Sequence, residues 1–175
     1  MMELLMESDN VLRSSTEEVY GNNFKAHYLE QYKLYVEMTD RISTKRQHSN
    51  TFFLTVNSAL ILMSSYLQLG NSPATSSSLF WLISILGITL CYSWHRLIRS
   101  YKDINTGKFK IIHAMEKHLP TSPYQSEWDA LGQGKKADIY LPFTKIETAI
   151  PWTFFVIHLF VLLQFLPLTK IYELL

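Results

Sequence analysis

The sequence predicts an all-α membrane protein with three transmembrane helices, its N-terminal side cytoplasmic, and long helices extending from the spans into the cytoplasm. Three observations carry this. The 16 basic and 15 acidic residues of the 175-residue chain avoid two stretches, 47–95 and 148–169. Each stretch holds apolar segments of about 20 residues, the helical length needed to cross a hydrocarbon core of about 30 Å. Basic residues gather beside the apolar segments on one side, with Lys170 alone on the other, from where it can snorkel to the headgroups. A soluble surface helix shows water a polar face every turn, which a charge-free run of this length does not supply. A net charge of +1 and 47% hydrophobic content also exclude a disordered chain and a strongly basic nucleic-acid binder.

Taken in order, residues 1–21 read as a flexible N-terminus. Met1-Met2-Glu3-Leu4-Leu5-Met6-Glu7 is acidic and lacks a basic n-region, so it is not a signal peptide, and the first apolar segment is expected to stay in the mature chain. Residues 22–50 read as a cytoplasmic amphipathic helix. Phe24, Tyr28, Tyr35, Met38 and Ile42 recur at intervals of three, four or seven, with Glu30, Lys33, Glu37 and Asp40 off that stripe. No Pro or Gly interrupts 24–57, so this helix is expected to run into the first span.

The transmembrane hairpin covers 51–98, with spans at about 51–69 and 79–98 joined by Gly70-Asn71-Ser72-Pro73-Ala74-Thr75-Ser76-Ser77-Ser78, a turn by composition. A connector follows over 99–147. Trp94, Leu97, Tyr101, Ile104, Ile111, Met115 and Leu119 predict that the second span continues as a helix until Pro120. Ser122-Pro123 reads as a helix start, Trp128 and Leu131 as its buried residues, and Gly132 as its stop. The third span covers 148–170, leaving 171–175 as a short tail.

Orientation follows from the positive-inside bias. Arg41, Lys45 and Arg46 precede the first span; Arg96, Arg99, Lys102, Lys108 and Lys110 follow the second; the hairpin turn carries no charge. These eight residues form a candidate basic cytoplasmic face, and the C-terminus is expected on the periplasmic or extracellular side. Phe52, Phe53, Trp94 and Trp152 read as aromatic anchors at the inner interface; Tyr66, Trp81 and Tyr172 as anchors at the outer one. Residues 96–147 hold nine Lys or Arg against six Asp or Glu. That excess suits anionic lipid, and it equally suits an anionic effector such as a nucleotide.

No enzyme is expected. The chain has no phosphate loop, dinucleotide fingerprint, HExxH or Gly-x-Ser-x-Gly, and no catalytic residues are assigned. Arg41 and His48 match the loose Arg-x4-6-His spacing of certain helical ribonucleases, but Arg41 is better explained as a juxtamembrane charge. His113 and His118 lack a third ligand, and Cys91 is the lone cysteine, so no metal site, cofactor or intrachain disulfide is expected. Intramembrane polar residues are more informative. Asn57, Ser84, Thr89, His158 and Gln164 are the candidates, either for interhelical hydrogen bonds or, in an oligomer, for lining a pore.

The segment 41–54, Arg41-Ile42-Ser43-Thr44-Lys45-Arg46-Gln47-His48-Ser49-Asn50-Thr51-Phe52-Phe53-Leu54, followed by an Asn-containing span, resembles bacterial RipAlpha-type small integral membrane proteins. So do the blocks Trp94–Lys110, Glu127–Gly132 and Leu141–Thr144. The arrangement is also similar to SLATT-type membrane effectors of antiviral defence systems. The resemblance implies an inner-membrane location, self-association and a pore role in phage defence. The expected function is therefore a homo-oligomeric, gated membrane pore; the alternative is a non-conducting anchor or scaffold for a cytoplasmic protein.

Overall fold

The structure, a computed structural model, describes residues 14–69, 77–135 and 138–165. Its elements are α1 (Glu17–Tyr20), α2 (Phe24–Leu69), α3 (Ser77–Glu116), α4 (Pro123–Ala130), a 3₁₀ turn (Gly132–Gly134) and α5 (Phe143–Gln164), with no strand among the described residues. α2, α3 and α5 are each long and apolar enough to cross a membrane. α2 has 46 residues; at a rise of 1.5 Å it measures about 69 Å, roughly twice a hydrocarbon core. It is continuous because nothing in it lacks an amide proton or a Cβ. The expected hairpin turn and the tail at 171–175 lie largely or wholly outside the described residues.

The chain divides into two compact units. Their described parts are a polar unit, 14–45 and 101–142, and an apolar unit, 46–100 and 143–165. In the polar unit, the tyrosines of α2 meet the last turns of α3. Tyr28 Oη donates to the Met115 carbonyl at 2.9 Å, and Tyr32 Oη to Glu116 Oε1 at 3.1 Å. The Lys108 ammonium sits 4.3 Å above the Tyr35 ring, a cation–π contact. Ile112 and Met115 are buried, as are Thr39 and Glu116.

Of the expected stripes, Met38 and Ile104 are exposed, whereas Trp94 and Met115 are buried and Phe24, Tyr28, Tyr35 and Ile42 half-buried; the buried Thr39, Ile112 and Glu116 lie outside the expected stripes. Trp128 is 38% exposed rather than buried; its indole covers Gly134, where a Cβ would lie 3.2 Å from the ring. Residues 14–21 are not featureless either. Glu17–Tyr20 forms one helical turn, ended by Gly21 at φ 89°, which only glycine adopts without strain. Downstream, α4 starts at Pro123 as expected, its missing amide proton being harmless at the first helical position.

In the apolar unit the buried positions recur at alternating intervals of four and three. On α3 they are Phe80, Ser84, Gly87, Cys91, Trp94 and Ile98, with Ile83 buried beside them. On α5 and just past its end the buried Pro151 and His158 alternate with the half-buried Phe155, Leu162 and Phe165, and on α2 the buried Asn57 and Ser64 alternate with the half-buried Phe53 and Leu60. An average of 3.5 residues is the period of knobs-into-holes packing between near-parallel helices. Trp94, expected as an interfacial anchor, is 2% exposed and stacks on Phe53 with ring centroids 5.8 Å apart. Phe52, Tyr66 and Trp152 remain exposed, as lipid-facing anchors require. α5 begins at Phe143, five residues before the expected span, and contains Pro151, which leaves the Glu147 carbonyl without its usual helical donor.

Candidate functional site

Hydrogen bonds fasten α5 to the hairpin of the apolar unit at three levels. The central level is made by Asn57, Cys91 and His158. Asn57 Nδ2 donates to the Phe53 carbonyl one turn back at 2.8 Å, which fixes the amide so that Oδ1 faces away from α2. That oxygen accepts from His158 Nε2 at 3.2 Å and from the Cys91 thiol at 3.3 Å. Because an amide oxygen can only accept, the His158 tautomer must carry its proton on Nε2. Asn57 is 0% and His158 1% exposed. A polar pair at this depth is tolerated because each group has found a partner.

Gly87 makes the central level possible. A Cβ there would overlap Cε1, Nε2 and Cδ2 of His158, so the imidazole lies directly on the α3 backbone. Small residues let transmembrane helices approach closely where water supplies no hydrophobic drive. Ser84 lies one turn away on the same face, fully buried, with no hydrogen-bond partner for its Oγ among the described residues. The other two intramembrane candidates do not join this group. Thr89 and Gln164 are exposed, and the Thr89 hydroxyl donates to the Ile85 carbonyl of its own helix at 2.8 Å.

A second level lies at the charge-bearing end. Arg46 Nε is 3.7 Å from Glu147 Oε1, with side chains only 20% and 22% exposed. Asn50 Nδ2 donates to the same carboxylate oxygen at 3.2 Å, and Asn50 Oδ1 accepts from the Trp94 indole at 2.8 Å. Arg46 and Glu147 are the last charges before the two charge-free stretches, so the chain places its opposite charges where each apolar run begins. Glu147 Oε2 and His95 Nδ1 are buried here without a hydrogen-bond partner among the described residues. The third level, at the far end, joins the Trp81 indole to the Phe165 carbonyl at 3.1 Å, with Phe80 stacked on Phe165 at 4.1 Å.

In the polar unit, Glu116 is a fully buried carboxylate. It accepts from Tyr32 and from the Tyr124 and Gln125 amides, both at 3.0 Å. Those amides are first-turn donors of α4 with no partner inside the helix, and a carboxylate suits the positive end of the helix dipole. Burial, and then the Glu116 carboxylate beside it, push the Tyr32 hydroxyl up to about 12. Burial raises Tyr124 as well, with Asp40, Glu127 and Glu116 adding to it.

The eight basic candidates fare differently. Arg41 pairs with Glu37 at 2.7 Å on its own helix, Arg46 with Glu147, and Lys108 with the Tyr35 ring. Lys45 has an interaction of its own. Arg96, Arg99, Lys102 and Lys110 are exposed and form no ion pair among the described residues. No cluster of three His, Cys, Asp or Glu suited to a metal occurs among the described residues.

Several contributors were not singled out from sequence, among them Gly87, Glu116, Asn50 and Glu147. Gly87 has a signal, since it stands seven residues before Trp94 and four before Cys91 on one helix face. Glu116 has none, since its partners are Tyr32 on α2, 84 positions earlier, and the first-turn amides of α4 across a turn.

No curated protein and no solved structure shows significant similarity to the chain. A family model does: it describes an octameric membrane protein family (8xMP) and matches residues 29–167. With three apolar helices of spanning length, a helical fold and a match over most of its length, the chain belongs to the octameric membrane protein family, a family of oligomeric membrane proteins.

Proposed function

We propose that this chain is a subunit of a homo-octameric gated pore in the bacterial inner membrane, without enzymatic activity. The observation that carries this reading is the closed interior of the apolar unit. Its central polar groups, Asn57, Cys91 and His158, are buried and bonded to one another, so a water path has to run between copies rather than through one. The family description supports eight of them. In such a ring the exposed hydroxyl face of α3, Thr89 with Ser93, lines the lumen. The exposed residues Val156, Phe160 and Leu163 of α5 are wholly apolar and face lipid. Asn57 and His158 act on conduction through the helix packing that they fix.

The positive-inside bias supports a cytoplasmic polar unit and a periplasmic C-terminus, and the resemblance to RipAlpha-type and SLATT-type proteins supports a defence role. The polar unit then receives the gating signal from a protein or an anionic nucleotide. The test joins mass determination in detergent to planar-bilayer recording. An octamer that conducts, and whose Thr89→Cys variant loses current on treatment with a charged thiol reagent, supports the reading. Cys91 is buried, so the new thiol is the accessible one. A monodisperse monomer overturns it.

A silent octamer would favour the scaffold reading. That reading draws on a cleft of about 340 Å³ in the polar unit, lined by Tyr20, Phe24, His27, Tyr28, Leu34 and Met38 among others, a size and lining suited to a docked partner group.

A further inference from the structure

The described part of the apolar unit contains five charged residues, Arg46, Arg96, Arg99, Lys145 and Glu147. Four are cations, and the single carboxylate is committed to Arg46 and Asn50. Arg96, Arg99 and Lys145 are exposed and lack any ion pair among the described residues. In the polar unit Lys25, Lys33 and Arg41 each face a carboxylate within 3.1 Å, while Lys102 and Lys110 are exposed and form no ion pair among the described residues.

Arg96, Arg99 and Lys145 all lie on one side of a shared level. The His95 ring meets the Trp152 ring edge-on at 5.5 Å, which sets α3 and α5 level at an exposed tryptophan, the side chain that marks a membrane interface. Arg96 adjoins that level and Arg99 lies about 6 Å beyond His95 at a rise of 1.5 Å per residue. Lys145 precedes Trp152 by about 10 Å on the same measure. A headgroup layer is about 5–8 Å thick on each side of the hydrocarbon, and long cationic side chains reach along it.

We propose that this end of the apolar unit is a binding surface for anionic phospholipid headgroups, with Arg96, Arg99 and Lys145 as the phosphate-contacting groups. Two of the three are arginines, whose planar fork donates two parallel hydrogen bonds to a phosphate. The proposal is independent of whether the assembly conducts.

The full chain is reconstituted in vesicles of phosphatidylglycerol and phosphatidylcholine at equal amounts. It is then extracted in mild detergent, and its retained lipid is identified by native mass spectrometry. The wild type is expected to retain phosphatidylglycerol several-fold over phosphatidylcholine. Loss of each cation should lower that preference by about fivefold at most, so Arg96→Gln/Arg99→Gln/Lys145→Gln should return it near the bulk ratio. Lys25→Gln/Lys33→Gln should leave it unchanged, because those cations are already neutralised. Reconstitution of the wild type in 1 M salt should also abolish the enrichment, a readout free of any folding effect of substitution. Equal retention of both lipids by the wild type, undiminished enrichment in the first triple variant, or insensitivity to salt would each overturn the proposal.

Discussion

Placing an alanine at Gly87 isolates the contact on which the apolar unit closes. The added Cβ would overlap three atoms of the His158 ring, and the ring cannot turn aside freely because its Nε2 is bonded to Asn57. Overpacking of this kind costs about 1–3 kcal/mol. Pushing the imidazole off Asn57 adds about 0.6 kcal/mol, the mean for an interhelical hydrogen bond in a membrane protein. The same substitution in a His158→Ala background meets no ring. There it should stabilise by about 0.5–1 kcal/mol, since alanine favours the helix more than glycine does. The sign of the Gly87→Ala effect should therefore reverse with the residue at 158, giving a coupling energy of about 2–4 kcal/mol from the cited ranges. Reversible unfolding of the four proteins in mixed micelles, titrated with a denaturing detergent, measures it. Additivity within about 0.5 kcal/mol would refute the reasoning, because independent sites behave that way.

Three more expectations follow from the other contacts. The Tyr32 hydroxyl is raised in the fold to about 12 from 10.0, so its contribution is fully present below pH 10 and lost as the pH rises towards 12; Tyr32→Phe should flatten that part of a stability-against-pH curve, and an unchanged curve would count against the Tyr32–Glu116 bond. Glu116→Ala should strip acceptors from the Tyr124 and Gln125 amides, costing about 1–3 kcal/mol and raising hydrogen exchange in residues 123–130 well before the rest of the polar unit. Glu147→Ala leaves Arg46 half-buried and unpaired, and should destabilise the apolar unit by more than Arg41→Ala, whose exposed pair is worth about 0.5 kcal/mol; detergent unfolding of both variants compares them.

The charge-free runs at 47–95 and 148–169 made the three spans legible, because no arrangement in water offers such segments a polar face. The packing inside them was far less so. An apolar stripe marks the face of a soluble helix that turns inward. In lipid that logic inverts, since hydrocarbon is as good a neighbour for leucine as another helix is. Leu82, Ile85 and Leu86 accordingly point outward, while Ser84, Gly87 and Cys91 form the seam. Trp94 misled for a related reason. Its position at the end of a span suits an anchor, and nothing in the sequence announces that Asn50, 44 residues earlier, takes its indole proton. Among the five intramembrane candidates the residue types were informative but the partners were not, because Asn57 and His158 are separated by 101 positions.

The spacing of the fastenings explains how three apolar helices can settle in one register. Dispersion contacts between leucines, phenylalanines and isoleucines change little when one helix slides by a residue or rotates by a turn, so packing alone leaves several arrangements close in energy. Polar contacts are not so tolerant. Sliding α5 by one residue along α2 and α3 would carry His158 off Gly87 and break its bond to Asn57, and the same slip would part Glu147 from Arg46 and the Phe165 carbonyl from Trp81. Each loss is modest in free energy, but all three occur together, at both ends and the middle of one helix. A single buried polar residue is enough to select register in a coiled coil. Three levels on one helix make the alternative registers costly while leaving the exposed faces free to vary, which is what a subunit needs if those faces are to meet neighbouring copies on one side and lipid on the other.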